Sequence, residues 1–290
     1  MFEGTYVALV TPFRDGRIDQ DALGALVNRL VDAGVDGLVP CGTTGESPTL
    51  TSREHEELIE AVVGLSGHRV KVLAGTGGND TAATVTRTRY AARCGADGAL
   101  VVSPYYNKPT QEGLYRHFAE IAGKADLPIV LYNIPGRCAV EIQVATIARL
   151  HQEFSNIVAV KHATGSMDGA CELRAACDIA ILSGDDTMTL PLISIGAVGV
   201  ISVIANLLAA EMVALVGRAR AGEMREAREL HEKVFPLARA MLTLETNPIP
   251  IKAALAMTGK IAEELRLPLC PLSEDNRHRL AALMTTYGLL

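Results

Sequence analysis

The sequence predicts an α/β protein: a closed (β/α)8 barrel, the TIM-barrel architecture, followed by a small C-terminal helical appendage. Short continuous apolar runs rich in Val, Ile and Leu alternate with longer amphipathic stretches, the pattern of a parallel sheet covered on both faces. Eight such units follow one another, which implies a closed barrel rather than an open sheet. The unusual polar and glycine-containing motifs all come after the apolar runs. They therefore gather on the carboxyl-terminal rim, where barrel enzymes keep their sites.

Residues 5–10 form the first strand and 19–33 the first helix, with Asp19 placed to cap it. Residues 37–40 are the second strand, and 51–65 the second helix, opened by the near capping box Thr51-Ser52-Arg53-Glu54. Strand 70–74 leads to helix 79–94, 99–102 to 111–125, 129–132 to 141–150, and 157–161 to 167–177. Strand 179–182 leads to 187–195, and 200–203 to 208–221. Beyond this the strand signal stops. Residues 223–242, 249–258 and 273–287 read as helices, separated by Asn247-Pro248 and Leu267-Pro268. The expected division is a catalytic barrel over residues 1–222 and a helical domain over 223–290.

With 290 residues the chain can bury a sizeable core, and 49% hydrophobic with 21% charged residues is an ordinary soluble composition. A net charge of -6 provides no basic footprint for nucleic acid. The six cysteines form no C-x-x-C pair, and read as free thiols in a reducing compartment. Strand-like sequence begins at Gly4, which leaves no room for a signal peptide and points to the cytoplasm. Residues 187–210 carry no charge, but Pro191, Gly196, Gly199 and Asn206 divide them into two buried elements rather than one membrane span.

The strand Ile157-Val158-Ala159-Val160 ends in Lys161, with a Gly-containing turn behind it. An ammonium is costly to desolvate without a partner, so this environment favours the neutral amine. A neutral amine attacks carbonyl groups and gives a Schiff base. Taken alone, Lys161 is equally well read as a lysine snorkelling from a strand tip. The neighbouring rim motifs decide for chemistry. Gly42-Thr43-Thr44-Gly45-Glu46 offers hydroxyls and N–H groups to an anion such as a carboxylate. Tyr132 ends the adjacent strand and is placed to pass protons, and Arg137 just after it presents a planar fork for a second carboxylate. Asp185 and Asp186, after the seventh strand, would repel a phosphate there.

Other chemistries find little support. The seven histidines are scattered, with no pair at metal-ligand spacing beside a carboxylate. Gly75-Thr76-Gly77-Gly78-Asn79-Asp80 lacks the last glycine of a dinucleotide fingerprint, and Asn79 or Asp80 reads as a helix cap. No metal site and no dinucleotide site is expected. Cys41 reads as a buried structural thiol.

Gly42-Thr43-Thr44-Gly45-Glu46-Ser47, Pro104-Tyr105-Tyr106-Asn107-Lys108-Pro109 and Leu131-Tyr132-Asn133-Ile134-Pro135-Gly136-Arg137 resemble the dihydrodipicolinate synthase family. So do Leu182-Ser183-Gly184-Asp185-Asp186, Val160-Lys161 with Ala163-Thr164-Gly165, and Asn247-Pro248-Ile249-Pro250. The likeness spans essentially the whole chain. The lysine, the Gly-x-x-Gly-Glu turn and the tyrosine are shared with the wider superfamily of pyruvate-dependent lyases. The Thr-Thr pair, Tyr-Tyr-Asn and Arg137 are the more specific part.

The resemblance implies a lyase that condenses pyruvate with L-aspartate 4-semialdehyde, in lysine and diaminopimelate biosynthesis, through an imine on Lys161 and without a cofactor. It implies that Tyr132 shuttles protons through Thr43 and a Tyr106 supplied by a neighbouring subunit of a homotetramer. Thr44 would hold the pyruvate carboxylate, Arg137 that of the semialdehyde, and backbone groups around Gly184 and Ile201 would line the pocket. Lysine inhibits many relatives at an interface to which Ser47, His55, Asn79 and Tyr105 correspond here. Ala83 stands where a carboxylate is common, Ser52 where a histidine is, and Pro48 where a small residue is. His162 replaces the glutamate common after the lysine; strand alternation turns it away from the side that carries Lys161. Two alternatives stand beside this reading. One is a pyruvate-dependent aldolase for another aldehyde, such as a sugar acid or 4-hydroxy-2-oxoglutarate. The other is a non-catalytic barrel that binds oxo acids.

Overall fold

In a computed structural model that describes residues 2–290, eight parallel strands close into a barrel. They are β1 (Gly4–Ala8), β2 (Gly37–Val39), β3 (Lys71–Gly75), β4 (Gly98–Val102), β5 (Ile129–Asn133), β6 (Ile157–His162), β7 (Ala180–Ser183) and β8 (Gly199–Ser202). Each strand pairs with its neighbour in sequence, and β8 returns to β1. Their side chains are almost all buried, because helices cover the outside and side chains fill the inside. At the closing seam Gly4 pairs with Gly199, and a Cβ on Gly199 would lie 2.0 Å from Gly4 O. Only glycine lets the two backbones approach this closely.

The expected caps are formed. Asp19 accepts the Ala22 N–H ahead of helix Gln20–Asp32, and Thr51 with Glu54 makes a full capping box ahead of Ser52–Ser66. Asp80, not Asn79, caps Thr81–Arg93. The helix expected over 141–150 lies over Val144–Glu153 instead. Asn133 causes the shift: its amide accepts from Ile142 N and donates to Ile142 O, both at 3.0 Å, so the chain stays extended up to residue 143. A short helix, Pro135–Cys138, occupies part of the loop. Phe13–Arg14 and Arg17–Ile18 form a two-residue hairpin that the sequence pattern did not predict. Its Asp15-Gly16 turn has φ of 54° and 76°, as that turn type demands.

After residue 222 come helices Met224–Thr243, Ile249–Met257 and Glu274–Thr286. The middle one is buried on nearly all sides: Ile249, Ile251, Lys252, Ala253, Ala254 and Leu255 are each at most 5% exposed. Among the described residues no helix is long and apolar enough to cross a membrane.

Candidate active site

Lys161 and Tyr132 face each other as register partners at the ends of β6 and β5. Each is 5% exposed, and Lys161 Nζ lies 4.1 Å from the centroid of the Tyr132 ring. The nucleophile therefore sits against the face of the residue expected to move its protons, with water largely excluded. Asp185, just past β7, lies within the electrostatic reach of Lys161 and His162; burial pushes its carboxyl pKa up, and those two side chains oppose that. His162 Nε2 is 2.9 Å from both Ser166 O and Thr164 Oγ1. Its ring helps line a separate cavity of about 380 Å³ with Gln143, Val144 and Glu172, behind the strand. It points away from the Lys161 side, as alternation requires.

The turn after β2 is tightly wound. Gly45 N and Ser47 N donate to Gly42 O, and Glu46 N donates to Thr43 O. The N–H groups of Thr43 and Thr44 make no hydrogen bond among the described residues, which leaves two donors side by side for an anion. Glu46 adopts a φ of 54°, unfavourable for a residue with a side chain, and its carboxylate is anchored to offset this. Glu46 Oε1 accepts from Lys252 Nζ at 2.6 Å with both side chains fully buried, and Oε2 accepts from Arg266 N at 3.0 Å. Lys252 Nζ and the Arg266 guanidinium also lie over the Phe13 ring, at 4.4 Å and 4.3 Å.

Arg137 sits on the short helix after β5 and donates from Nη2 to Asn247 O at 3.0 Å. The same Asn247 donates from Nδ2 to Thr44 Oγ1, also at 3.0 Å. Arg137 and Asn247 belong to the wall of an open cavity of about 270 Å³, which also includes Thr43, Tyr105 and Tyr132. Cys41 and Cys138 belong to the same wall, and burial pushes both thiols up, Cys138 to about 11. Neither is a ready thiolate.

The structure thus brings Lys161, Tyr132, Thr43, Thr44 and Arg137 to one end of the barrel. Lys161, Thr44, Gly184 and Ile201 are not among the residues lining the 270 Å³ cavity; Ile201 is fully buried within β8. Gly184 packs so closely that a Cβ there would lie 2.5 Å from Ala163 Cβ, and its N–H is taken by His162 O. Tyr106 stands apart: it is 90% exposed, on a backbone with φ of 74°, and contributes nothing to the site within one chain. Of the effector candidates, Ser47 and Tyr105 line the 270 Å³ cavity. His55 is buried with Nε2 2.8 Å from Gly75 O, and Asn79 O accepts from Asn107 Nδ2. No group of three or more metal-ligating side chains occurs among the described residues.

Sequence reasoning passed over Lys252 and the side chain of Asn247. The signal for Lys252 is plain in retrospect: one charge inside Ile-Pro-Ile-Lys-Ala-Ala-Leu-Ala needs a buried partner. Asn247-Pro248 carried no such signal beyond its family likeness.

The chain matches the Dihydrodipicolinate synthetase family over residues 1–287. It is 50% identical to a 4-hydroxy-tetrahydrodipicolinate synthase of Endomicrobium trichonymphae, with all of both chains covered. It is 51% identical to the synthase of the same name from Pelobacter propionicus, again over the full length of both. The solved dihydrodipicolinate synthase of Aquifex aeolicus superposes with a TM-score of 0.98 at 48% identity, covering 99% of each chain. Fold, rim and full-length similarity agree, and the chain belongs to the dihydrodipicolinate synthetase family.

Proposed function

We propose that this chain condenses pyruvate with L-aspartate 4-semialdehyde through a Schiff base on Lys161, to give 4-hydroxy-tetrahydrodipicolinate. The observation that carries the reading is Lys161 Nζ at 4.1 Å from the Tyr132 ring, both buried at paired strand ends.

The amine of Lys161 adds to the keto carbon of pyruvate, and loss of water leaves an imine. The imine draws electrons from the adjacent methyl group, which gives up a proton and becomes an enamine. Tyr132 carries these protons, relayed through Thr43, which lines the same cavity. Thr44, with its free N–H, holds the pyruvate carboxylate. The enamine carbon attacks the aldehyde, whose oxygen is protonated to a hydroxyl. The substrate's own amine then attacks the imine carbon, closes the ring and releases Lys161. Arg137 orients the semialdehyde through its carboxylate. Tyr106 completes the proton relay from a second copy, in a homotetramer working in the cytoplasm; its 90% exposure supports that role.

Incubation with pyruvate and borohydride is expected to inactivate the protein and leave one reduced adduct, mapped to the peptide containing Lys161. An adduct elsewhere, or none, would falsify the assignment. Initial rates with aspartate semialdehyde in competition with sugar-acid aldehydes identify the second substrate; preference for a sugar acid would replace the condensation by an aldol reaction at the same lysine.

A further inference from the structure

The Thr44 hydroxyl has one proton to give, and its direction decides whether Thr44 attracts or repels a carboxylate. Thr44 is 2% exposed, and Asn247 Nδ2 is its hydrogen-bond partner, 3.0 Å from Oγ1. The amide donates, so one lone pair of Oγ1 is occupied and the hydroxyl proton is free. No other side-chain hydrogen bond of Thr44 is formed among the described residues. Asn247 is itself 6% exposed, and its Oδ1 is buried without a partner. Were the amide turned over, Oδ1 would take the Thr44 proton and leave only lone pairs facing the ligand. The main chain of Asn247 has a second task, because its carbonyl accepts from Arg137 Nη2 at 3.0 Å.

We propose that Asn247 is a positioning residue that sets the polarity of Thr44: its amide N–H holds Oγ1 as an acceptor, so that the hydroxyl proton is presented to the carboxylate of the oxo acid. Through its carbonyl the same residue holds Arg137, and so one residue outside the barrel strands places both groups assigned to substrate carboxylates. The inference rests on the assignment of pyruvate's carboxylate to Thr44. The two arms also separate by substrate. A side-chain change at Asn247 alters the bond to Thr44 but leaves the carbonyl that holds Arg137.

Three variants test this: Asn247→Ala, Asn247→Asp and Thr44→Val, with the double variant Asn247→Asp/Thr44→Val. The readout is the pyruvate concentration that gives half-maximal borohydride trapping at Lys161, and the KM for each substrate. Asparagine and aspartate have the same shape, but the carboxylate accepts from Thr44 and turns its proton inward. Asn247→Asp is expected to raise the pyruvate half-saturation at least tenfold, and Asn247→Ala by a smaller factor, because alanine frees Thr44 to rotate without reversing it. Asn247→Ala is expected to leave the aldehyde KM within about twofold, the signature that a general loosening of the site would not produce. In the Thr44→Val background, Asn247→Asp should add little, since no hydroxyl remains to be reversed. If Thr44→Val raises the pyruvate half-saturation and neither Asn247 variant does, the polarity role is overturned while the Thr44 assignment stands. If Thr44→Val itself has no effect, the Thr44 assignment fails and takes the inference with it. Equal damage to both substrates by Asn247→Ala would also overturn it, leaving Asn247 as scaffold. Retention of the wild-type thermal midpoint by Asn247→Ala keeps these readings independent of folding.

Discussion

Arg137 spends Nη2 on Asn247 O and, at 3.5 Å, Thr246 Oγ1, and it is exposed on the cavity wall, so Nη1 and Nε are open to a ligand. Arg137→Ala is expected to weaken use of the semialdehyde about ten- to a hundredfold, the worth of a charge-assisted bond, while borohydride trapping of pyruvate stays near wild type. Equal losses in the two assays would refute this division. Tyr132→Phe keeps the ring under Lys161 but removes the phenolic proton. Turnover should fall by about 10²–10⁴, with the fold and the pyruvate site intact; single-turnover rates check this. Tyr132 was legible as an unusual side chain at a strand end, and Arg137 as a charged fork closely following that strand, whereas the short helix that carries Arg137 was not.

Helix Ile249–Met257 acts at the next scale, by carrying Lys252 beneath the turn that presents Thr43 and Thr44. Its ammonium is the buried counter-charge for Glu46, whose left-handed backbone it helps to hold. Burial lowers the Lys252 pKa and Glu46 opposes that. Removing one member strands the other. Lys252→Met should destabilise the protein by about 3–5 kcal/mol in urea unfolding, and the double change Lys252→Met/Glu46→Leu by clearly less. A Lys252→Met protein as stable as wild type would show that the pair contributes little. Of the seven non-glycine residues with positive φ among the described residues, five (Cys41, Glu46, Tyr106, Lys108 and Ala139) lie in loops after β2, β4 and β5, while Asp15 is in the hairpin turn and His68 precedes β3.

The whole molecule answers to acid through buried histidines. Burial lowers the pKa of His55 and of His117 from 6.5 to about 4. Above pH 6.5 both are neutral whether folded or unfolded, and stability is full. Between 6.5 and about 4 the unfolded chain binds protons that the folded one refuses, so stability falls, by up to about 3 kcal/mol per histidine, and then levels off. Denaturation midpoints measured from pH 7 to 4 should show this decline, and His117→Gln should flatten it; an unchanged slope would contradict the cause. Glu54 extends the decline, since its bonds to Arg266 hold its pKa at about 2, and that contribution is lost as pH falls from 4.5 towards 2. Regulation also belongs to this scale. Ala83 supplies no carboxylate where one is common in the family, and Nε2 of His55 already faces Gly75 O. An amine left without an anionic partner in a partly buried cleft loses as much as a few kcal/mol of binding. Lysine should therefore inhibit weakly or not at all in an initial-rate titration near the pyruvate KM. Submillimolar half-inhibition would show that Ser47, His55, Asn79 and Tyr105 suffice.

The barrel, its helix caps and the Lys161–Tyr132 pair were determined by the sequence alone, because each depends on local pattern: period, capping residues, and a charge at the end of an apolar run. Once eight parallel strands close in order, their carboxyl ends must meet, and so must the motifs behind them. What lay beyond the sequence was pairing between residues distant in the chain. Asn247 reaches Thr44 across 203 residues and Lys252 reaches Glu46 across 206. No periodicity encodes which turn a docked helix will touch, and the helical segment after the barrel reads as an appendage. Tertiary packing made it the support of the catalytic rim, since a buried ammonium and a buried amide are stable only where a carboxylate and a hydroxyl meet them.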